Sequence, residues 1–213
     1  MRSQEKLERE VGVRLQAGDT EGAAARLLEA CGPGVRGYLR VCLPTERQLR
    51  DAYSSFTECV WQNLRRYRGE PGLRVWAYRQ AYCSAKQYRG TQLRPKRAST
   101  SRKTESGARA LSRTRAATLE PLGVSEDAEV LRAELSLEEQ TLLTLRVDRG
   151  FGWEDIGCVL GKSRAGDAMQ RRYERLVRRL HRTAIARGLI EEEPLPRRLD
   201  ALSLTRRSTS REI

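Results

Sequence analysis

The chain of 213 residues carries 41 lysines and arginines against 28 aspartates and glutamates, a formal net charge of +13. A sequence pI near 10.1 implies a strong positive potential that favours polyanions as partners, nucleic acid ahead of an acidic membrane surface. Hydrophobic residues make up 38%, enough for small helical cores; no apolar run is long enough to span a bilayer and the amino terminus lacks a signal-peptide core, so a soluble cytoplasmic protein without membrane association is expected.

Helical spacing recurs in almost every periodic segment, and the alternating β-branched pattern of strands is missing. This predicts an all-α protein of two small helical domains joined by a flexible basic linker, the second domain a helix-turn-helix. The first domain is expected over residues 1–90. Leu7, Val11 and Leu15 mark a short helix ending near Gly18. Asp19 or Thr20 can cap a second helix carrying Ala24, Leu27, Leu28 and Cys31. Gly32, Pro33 and Gly34 should break it before a third with Val35, Tyr38, Leu39 and Cys42. After Pro44, Thr45 and Gln48 form a capping-box pair for a long helix through Trp61 and Leu64. Beyond the break at 69–72, a helix from about Leu73 to Tyr88 closes the domain. Its apolar stripe is Leu73, Trp76, Ala77, Ala81, Ala85 and Tyr88. Arg74, Tyr78, Tyr82, Lys86 and Arg89 fall on the other side, where cations can follow the backbone of a single strand while tyrosine rings stack on unpaired bases.

Residues 91–125 read as the linker. From Thr91 to Thr118 the chain is dominated by Ser, Thr, Arg and Lys, with Glu105 as the only acid, and it cannot bury enough apolar surface to offset its ordering entropy. Such a segment can lie along a nucleic acid or serve as a plain solvated tether. Residues 126–190 form the second domain. Ser136 and Glu139 make a capping box for a helix with Leu142, Leu143, Leu145 and Val147, which Gly150 ends. Trp153, Ile156, Val159 and Leu160 repeat at helical spacing, and Gly161 turns the chain. Ser163 can cap a last helix whose seam is Ala165, Met169, Tyr173, Leu176 and Leu180. Arg164, Gln170, Arg171, Arg172, Arg175, Arg178 and Arg179 lie outside that seam, where guanidinium groups can reach phosphates or guanine edges in a major groove. Residues 191–213 are expected to be a disordered tail.

Nothing in the sequence supports catalysis. Cys31, Cys42, Cys59, Cys83 and Cys158 have no paired short spacing, so reduced thiols are expected rather than a zinc knuckle or a disulfide framework. His181, the single histidine, sits on a basic helix and reads as solvated. With no glycine-rich phosphate loop, nucleophile elbow or carboxylate cluster among apolar residues, the chain is expected not to be an enzyme and to use no metal or cofactor.

Tyr67-Arg68-Gly69-Glu70 with Leu73 to Arg79, and Leu135-Ser136 with Trp153 to Gly157 and Leu160 to Ser163, form two blocks that resemble bacterial RNA polymerase sigma factors of the extracytoplasmic-function (group-four, sigma-70 family) type. Tyr67-Arg68-Gly69-Glu70 followed by Leu73-Arg74-Val75-Trp76-Ala77-Tyr78-Arg79 is similar to the end of that family's promoter-melting domain, where an aromatic and Arg-Gly-Glu precede Phe-Arg-Thr-Trp-Leu and a basic helix. Leu135-Ser136, Leu142 to Arg146, Gly150, Trp153-Glu154-Asp155-Ile156-Gly157 and Leu160-Gly161-Lys162-Ser163 resemble its second domain. The likeness covers about residues 20–90 and 126–187. It implies core RNA polymerase and promoter DNA as partners, admits an anti-sigma protein, and implies an upstream duplex element read by the second domain and a downstream one melted by the first.

The resemblance also implies a polymerase-docking face on the helix before Trp61. Asp51 matches the family's Asp-Leu-Val-Gln-Glu pattern there, whereas Ser54 and Ser55 stand where Gln and Glu are usual; Asp51 and Glu58, two turns apart, remain as acidic contacts. Cys83 replaces a usual asparagine, and the turn between Ser163 and Met169 has gained two residues. Two alternatives stay open: a sigma-like DNA-binding regulator without polymerase docking, and an RNA-binding protein using the basic linker and the aromatic helix.

Overall fold

The computed structural model of the protein describes residues 2–90, 131, 132, 134–162 and 165–190. Among them all regular structure is helical, and the chain divides into two compact units, Met1–Glu126 and Asp127–Ile213. The expected linker and tail, with Ser163 and Arg164, lie outside the described residues.

In the first unit, α1 (Arg2–Gln16), α2 (Thr20–Cys42), α3 (Glu46–Asn63, followed by a 3-10 turn over Leu64–Arg66) and α4 (Leu73–Gly90) pack together, with α2 touching the other three. Local chemistry sets their starts. The Asp19 carboxylate accepts a hydrogen bond from the Gly22 amide at 2.8 Å, and the Thr45 hydroxyl accepts one from the Gln48 amide at 3.2 Å. Leu27, Val35, Tyr38 and Leu39 of α2, Phe56 and Val60 of α3, and Leu73, Ala77 and Ala81 of α4 fill the core.

The expected break at Gly32-Pro33-Gly34 does not occur, and α2 runs through it as one 23-residue helix. Gly32 is buried, and a Cβ there would stand 2.7 Å from the Tyr53 hydroxyl, so its small size lets α3 approach. Pro33 is exposed. An interior proline costs about 3 kcal/mol, but fully burying one aliphatic or aromatic side chain contributes about 1.5–3 kcal/mol. Leu27 precedes the site, and Val35, Tyr38 and Leu39 follow it, all four fully buried, so burial outweighs the break.

The start of α4 is held from a distance. Gly72 offers no capping side chain, and the Glu8 carboxylate of α1 accepts the Leu73 amide at 3.2 Å, across 65 positions of sequence. Sequence spacing gave no sign of this contact.

In the second unit the capping box forms as expected: the Ser136 hydroxyl accepts the Glu139 amide at 3.3 Å while the Glu139 carboxylate accepts the Ser136 amide at 3.0 Å. This starts α5 (Leu137–Leu143), which passes into a π-helical turn over Thr144–Asp148. That turn admits an extra residue per hydrogen-bonded ring and shifts the register. Of the four apolar residues expected on this helix, Leu142 and Leu145 are buried, as is Phe151, while Leu143, before the turn, and Val147, within it, are only half-buried. Gly150 at φ +66° ends the turn, α6 (Trp153–Val159) follows, and Gly161 at φ +73° leads toward α7 (Gly166–Ala186). Both glycines occupy left-handed backbone, which side chains disfavour. Gly157 is required for another reason: a Cβ there would come within 2.8 Å of the Lys162 carbonyl.

Candidate nucleic-acid interface

The last helix has two faces. Met169, Tyr173, Leu176 and Ala184 are buried against the rest of the unit, while Ala165 and Leu180 are half-buried. Arg171, Arg175 and Arg178 are exposed on the opposite side. Arg182 continues the same stripe, four residues beyond Arg178, and is exposed as well; its i+4 spacing was the signal that could have found it. From Arg171 to Arg182 the stripe is about 16 Å long at 1.5 Å per residue, longer than the roughly 12 Å width of a DNA major groove. A groove of 670 Å³ lined by Trp153, Glu154, Asp155, Asp167 and Arg171 opens beside its first turn. Three carboxylates there make it a poor anion pocket.

Not all the expected arginines are available. Arg172 donates to Glu138 at 2.6 Å, and Lys162 donates to the same carboxylate oxygen at 2.9 Å. Arg179 donates to Glu139 at 2.7 Å, and Gln170 has Glu174 at 3.4 Å. Arg172 and Arg179 thus tie α7 to α5 in this structure. Behind them, the Arg146 guanidinium lies 4.2 Å from the Trp153 ring centroid and donates to the Phe151 carbonyl at 3.0 Å, and Trp153 meets Tyr173 at 5.3 Å. A cation on an indole face adds attraction beyond area burial. Burial pushes the Tyr173 phenol up.

The two carboxylates carry a pH signature. Hydrogen bonds from Lys162, then Arg172, hold Glu138 below the ordinary glutamate value of 4.5 despite partial burial. Burial alone would raise Glu139, but the Ser136 amide and hydroxyl and the Arg179 guanidinium outweigh it, and its pKa is lowered. A depressed folded-state pKa stabilises the fold at pH above the unfolded value and loses that contribution as pH falls through the folded value. The second unit should therefore melt at constant temperature near neutrality and lose stability below pH 4.5. Thermal melts followed by circular dichroism across an acid series would check this, with Glu138→Gln flattening the dependence.

On α4 the expected stripe is buried at Leu73, Ala77, Ala81 and Ala85, but the buried face is wider than expected. Tyr78 and Tyr82, expected as exposed strand contacts, are 3% and 6% exposed. Trp76 and Tyr88, expected in the apolar stripe, are half-buried. The cause is that α4 packs on both α2 and α3, so its buried arc is wider than one stripe. Tyr78 meets Tyr38 of α2 at 5.8 Å. Arg74 is half-buried, its guanidinium 6.0 Å from the Tyr78 ring; Arg89 is half-buried and Lys86 exposed. Tyr67, Trp76 and Tyr88 are half-buried, and the rings of Tyr67 and Trp76 stand 5.9 Å apart. Tyr67 donates to the Pro71 carbonyl at 2.9 Å, and burial, followed by the Glu8 charge, lifts its pKa to about 12.

On α3, Asp51, Ser54 and Glu58 lie on one exposed face with Trp61, which is 41% exposed; Ser55 is half-buried. Asp51 stands 3.9 Å from Arg47 in a loose surface pair. All five cysteines are free thiols, Cys31 and Cys42 buried and Cys83 exposed. His181 is half-buried. Among the described residues no cluster of His, Cys, Asp and Glu could hold a metal, and no helix is long and apolar enough to cross a membrane. No protein-family model, curated protein or solved structure significantly matches the chain.

Proposed function

We propose that this chain is a sigma factor of the extracytoplasmic-function type, which joins core RNA polymerase and directs it to a class of promoters. The observation that carries the reading is the arginine stripe of Arg171, Arg175 and Arg178, presented to solvent by a long helix whose other face is buried behind a short helix and a glycine turn. In this reading α6 and α7 are a helix-turn-helix and the stripe reads duplex DNA. Lys86, Arg89 and the half-buried rings of Tyr67 and Trp76 serve the melted strand in the first unit. The RNA-binding alternative is weaker than the sequence alone implied, because its two tyrosine platforms are core residues.

The exposed Asp51, Ser54, Glu58 and Trp61 face of α3 is the docking surface for polymerase. A charge-assisted hydrogen bond contributes about 1.5–3 kcal/mol. Asp51→Ala should therefore weaken core binding by roughly one to two orders of magnitude, at tenfold per 1.4 kcal/mol. Ser54→Gln combined with Ser55→Glu should strengthen it. Titration of labelled protein against purified core polymerase, paired with promoter-dependent transcript mapping, decides the matter. If the parent shows no polymerase binding at micromolar concentration yet still binds duplex, the chain is a DNA-binding regulator without docking; the thin acidic content of the α3 face is the feature favouring that second reading.

A further inference from the structure

One carboxylate oxygen in the second unit neutralises two cations, one of them on the helix that carries the arginine stripe. Glu138 Oε2 accepts Arg172 Nη1 at 2.6 Å and Lys162 Nζ at 2.9 Å, residues 34 and 24 positions away. The cluster is not a core device: the side chains of Glu138, Arg172 and Lys162 are 35%, 29% and 40% exposed. Arg172 follows Arg171 on α7, about a quarter-turn round from the face that carries Arg171, Arg175 and Arg178, and Lys162, in the turn after α6, meets it at the same carboxylate oxygen. A phosphate oxygen is the same kind of acceptor as the one Glu138 supplies, and it competes for the same donors.

We propose that Glu138 is a specificity-determining residue: it occupies Arg172 and Lys162 so that they do not add sequence-independent phosphate contacts, leaving discrimination to the exposed stripe. This rests on the DNA-binding reading above. Its logic is that selectivity is a difference between two affinities. Each phosphate neutralised on duplex DNA steepens the dependence of log K on log salt by about 0.9 and strengthens binding to every sequence alike. Two freed cations would raise affinity for the large excess of wrong sites and shrink the ratio that matters.

The test uses the full chain and short duplexes, one of the preferred promoter sequence and one scrambled, titrated across a salt series. Glu138→Gln should bind the scrambled duplex more tightly, with a slope steeper by about 0.9 to 1.8, and its preference for the promoter duplex should fall. Asp148→Asn, which makes the same change of charge at an exposed position of the same unit, should move the slope far less. Adding Arg172→Gln to Glu138→Gln should return about 0.9 of the gain. A second arm does not depend on the stability of the Glu138 variant: Arg172→Gln in the parent should leave the slope on scrambled DNA unchanged, because that cation is already occupied. A slope reduced by about 0.9 in that single variant, or an unchanged slope in a folded Glu138→Gln protein, overturns the proposal while the DNA-binding reading stands. A parent that binds neither duplex at low salt overturns both.

Discussion

Tyr82→Ala is expected to destabilise the first helical unit by about 3–5 kcal/mol, the range for emptying a buried site of a large aromatic ring. Tyr82 is 6% exposed on α4, so its loss leaves a cavity rather than a bare surface. Native domains are stable by only about 5–15 kcal/mol, so this one change removes a large share of the total. At roughly 4–8 °C per kcal/mol for a domain of this size, the melting temperature should fall by tens of degrees. Tyr82→Phe keeps the ring and should recover most of the stability. Because the fold itself is weakened, open-complex formation should drop equally on duplex and on pre-melted templates. A Tyr82→Ala protein that melts like the parent and is rescued on a pre-melted bubble would return the ring to the strand-contact role.

The second large effect is expected at the arginine stripe. Arg171→Ala and Arg175→Ala should each cost about 1–3 kcal/mol where the guanidinium pairs with a base edge, a loss of roughly 5- to 150-fold in affinity for the preferred duplex. Arg178→Ala, if it meets only phosphate, should weaken all sequences alike and flatten the salt slope by about 0.9. Arg172→Ala and Arg179→Ala should differ in kind, because these side chains pair with Glu138 and Glu139. Their main loss should appear in the melting temperature of the second unit. Fluorescence titrations at several salt concentrations, with melts on the same samples, separate the two classes. Unchanged binding by the Arg171, Arg175 and Arg178 variants together would sink this placement of the reading face.

The sequence by itself determined the features that depend on neighbours within one or two helical turns. The helix start at Asp19 or Thr20, of which Asp19 caps, the Thr45 half of the box expected with Gln48, the Ser136–Glu139 box and the left-handed turns at Gly150 and Gly161 are all local hydrogen-bond or backbone effects. The buried seam of Met169, Tyr173 and Leu176 was legible for the same reason, since 3.6-residue periodicity places those side chains on one face.

Tertiary structure decided everything that turns on partners far along the chain. Gly32-Pro33-Gly34 is a break signal in isolation, yet the helix persists because burial on both sides of it outweighs the local cost and Tyr53 occupies the space a Cβ would need. The amphipathic reading of α4 assumed one buried stripe; packing against two helices widened the buried arc and took in Tyr78 and Tyr82. Glu8 reaches the α4 amide across 65 residues, and Glu138 and Glu139 reach Arg172 and Arg179 across 34 and 40. Periodicity assigns a side chain to a face, but whether an arginine on that face meets solvent or a carboxylate depends on which distant helix folds beside it.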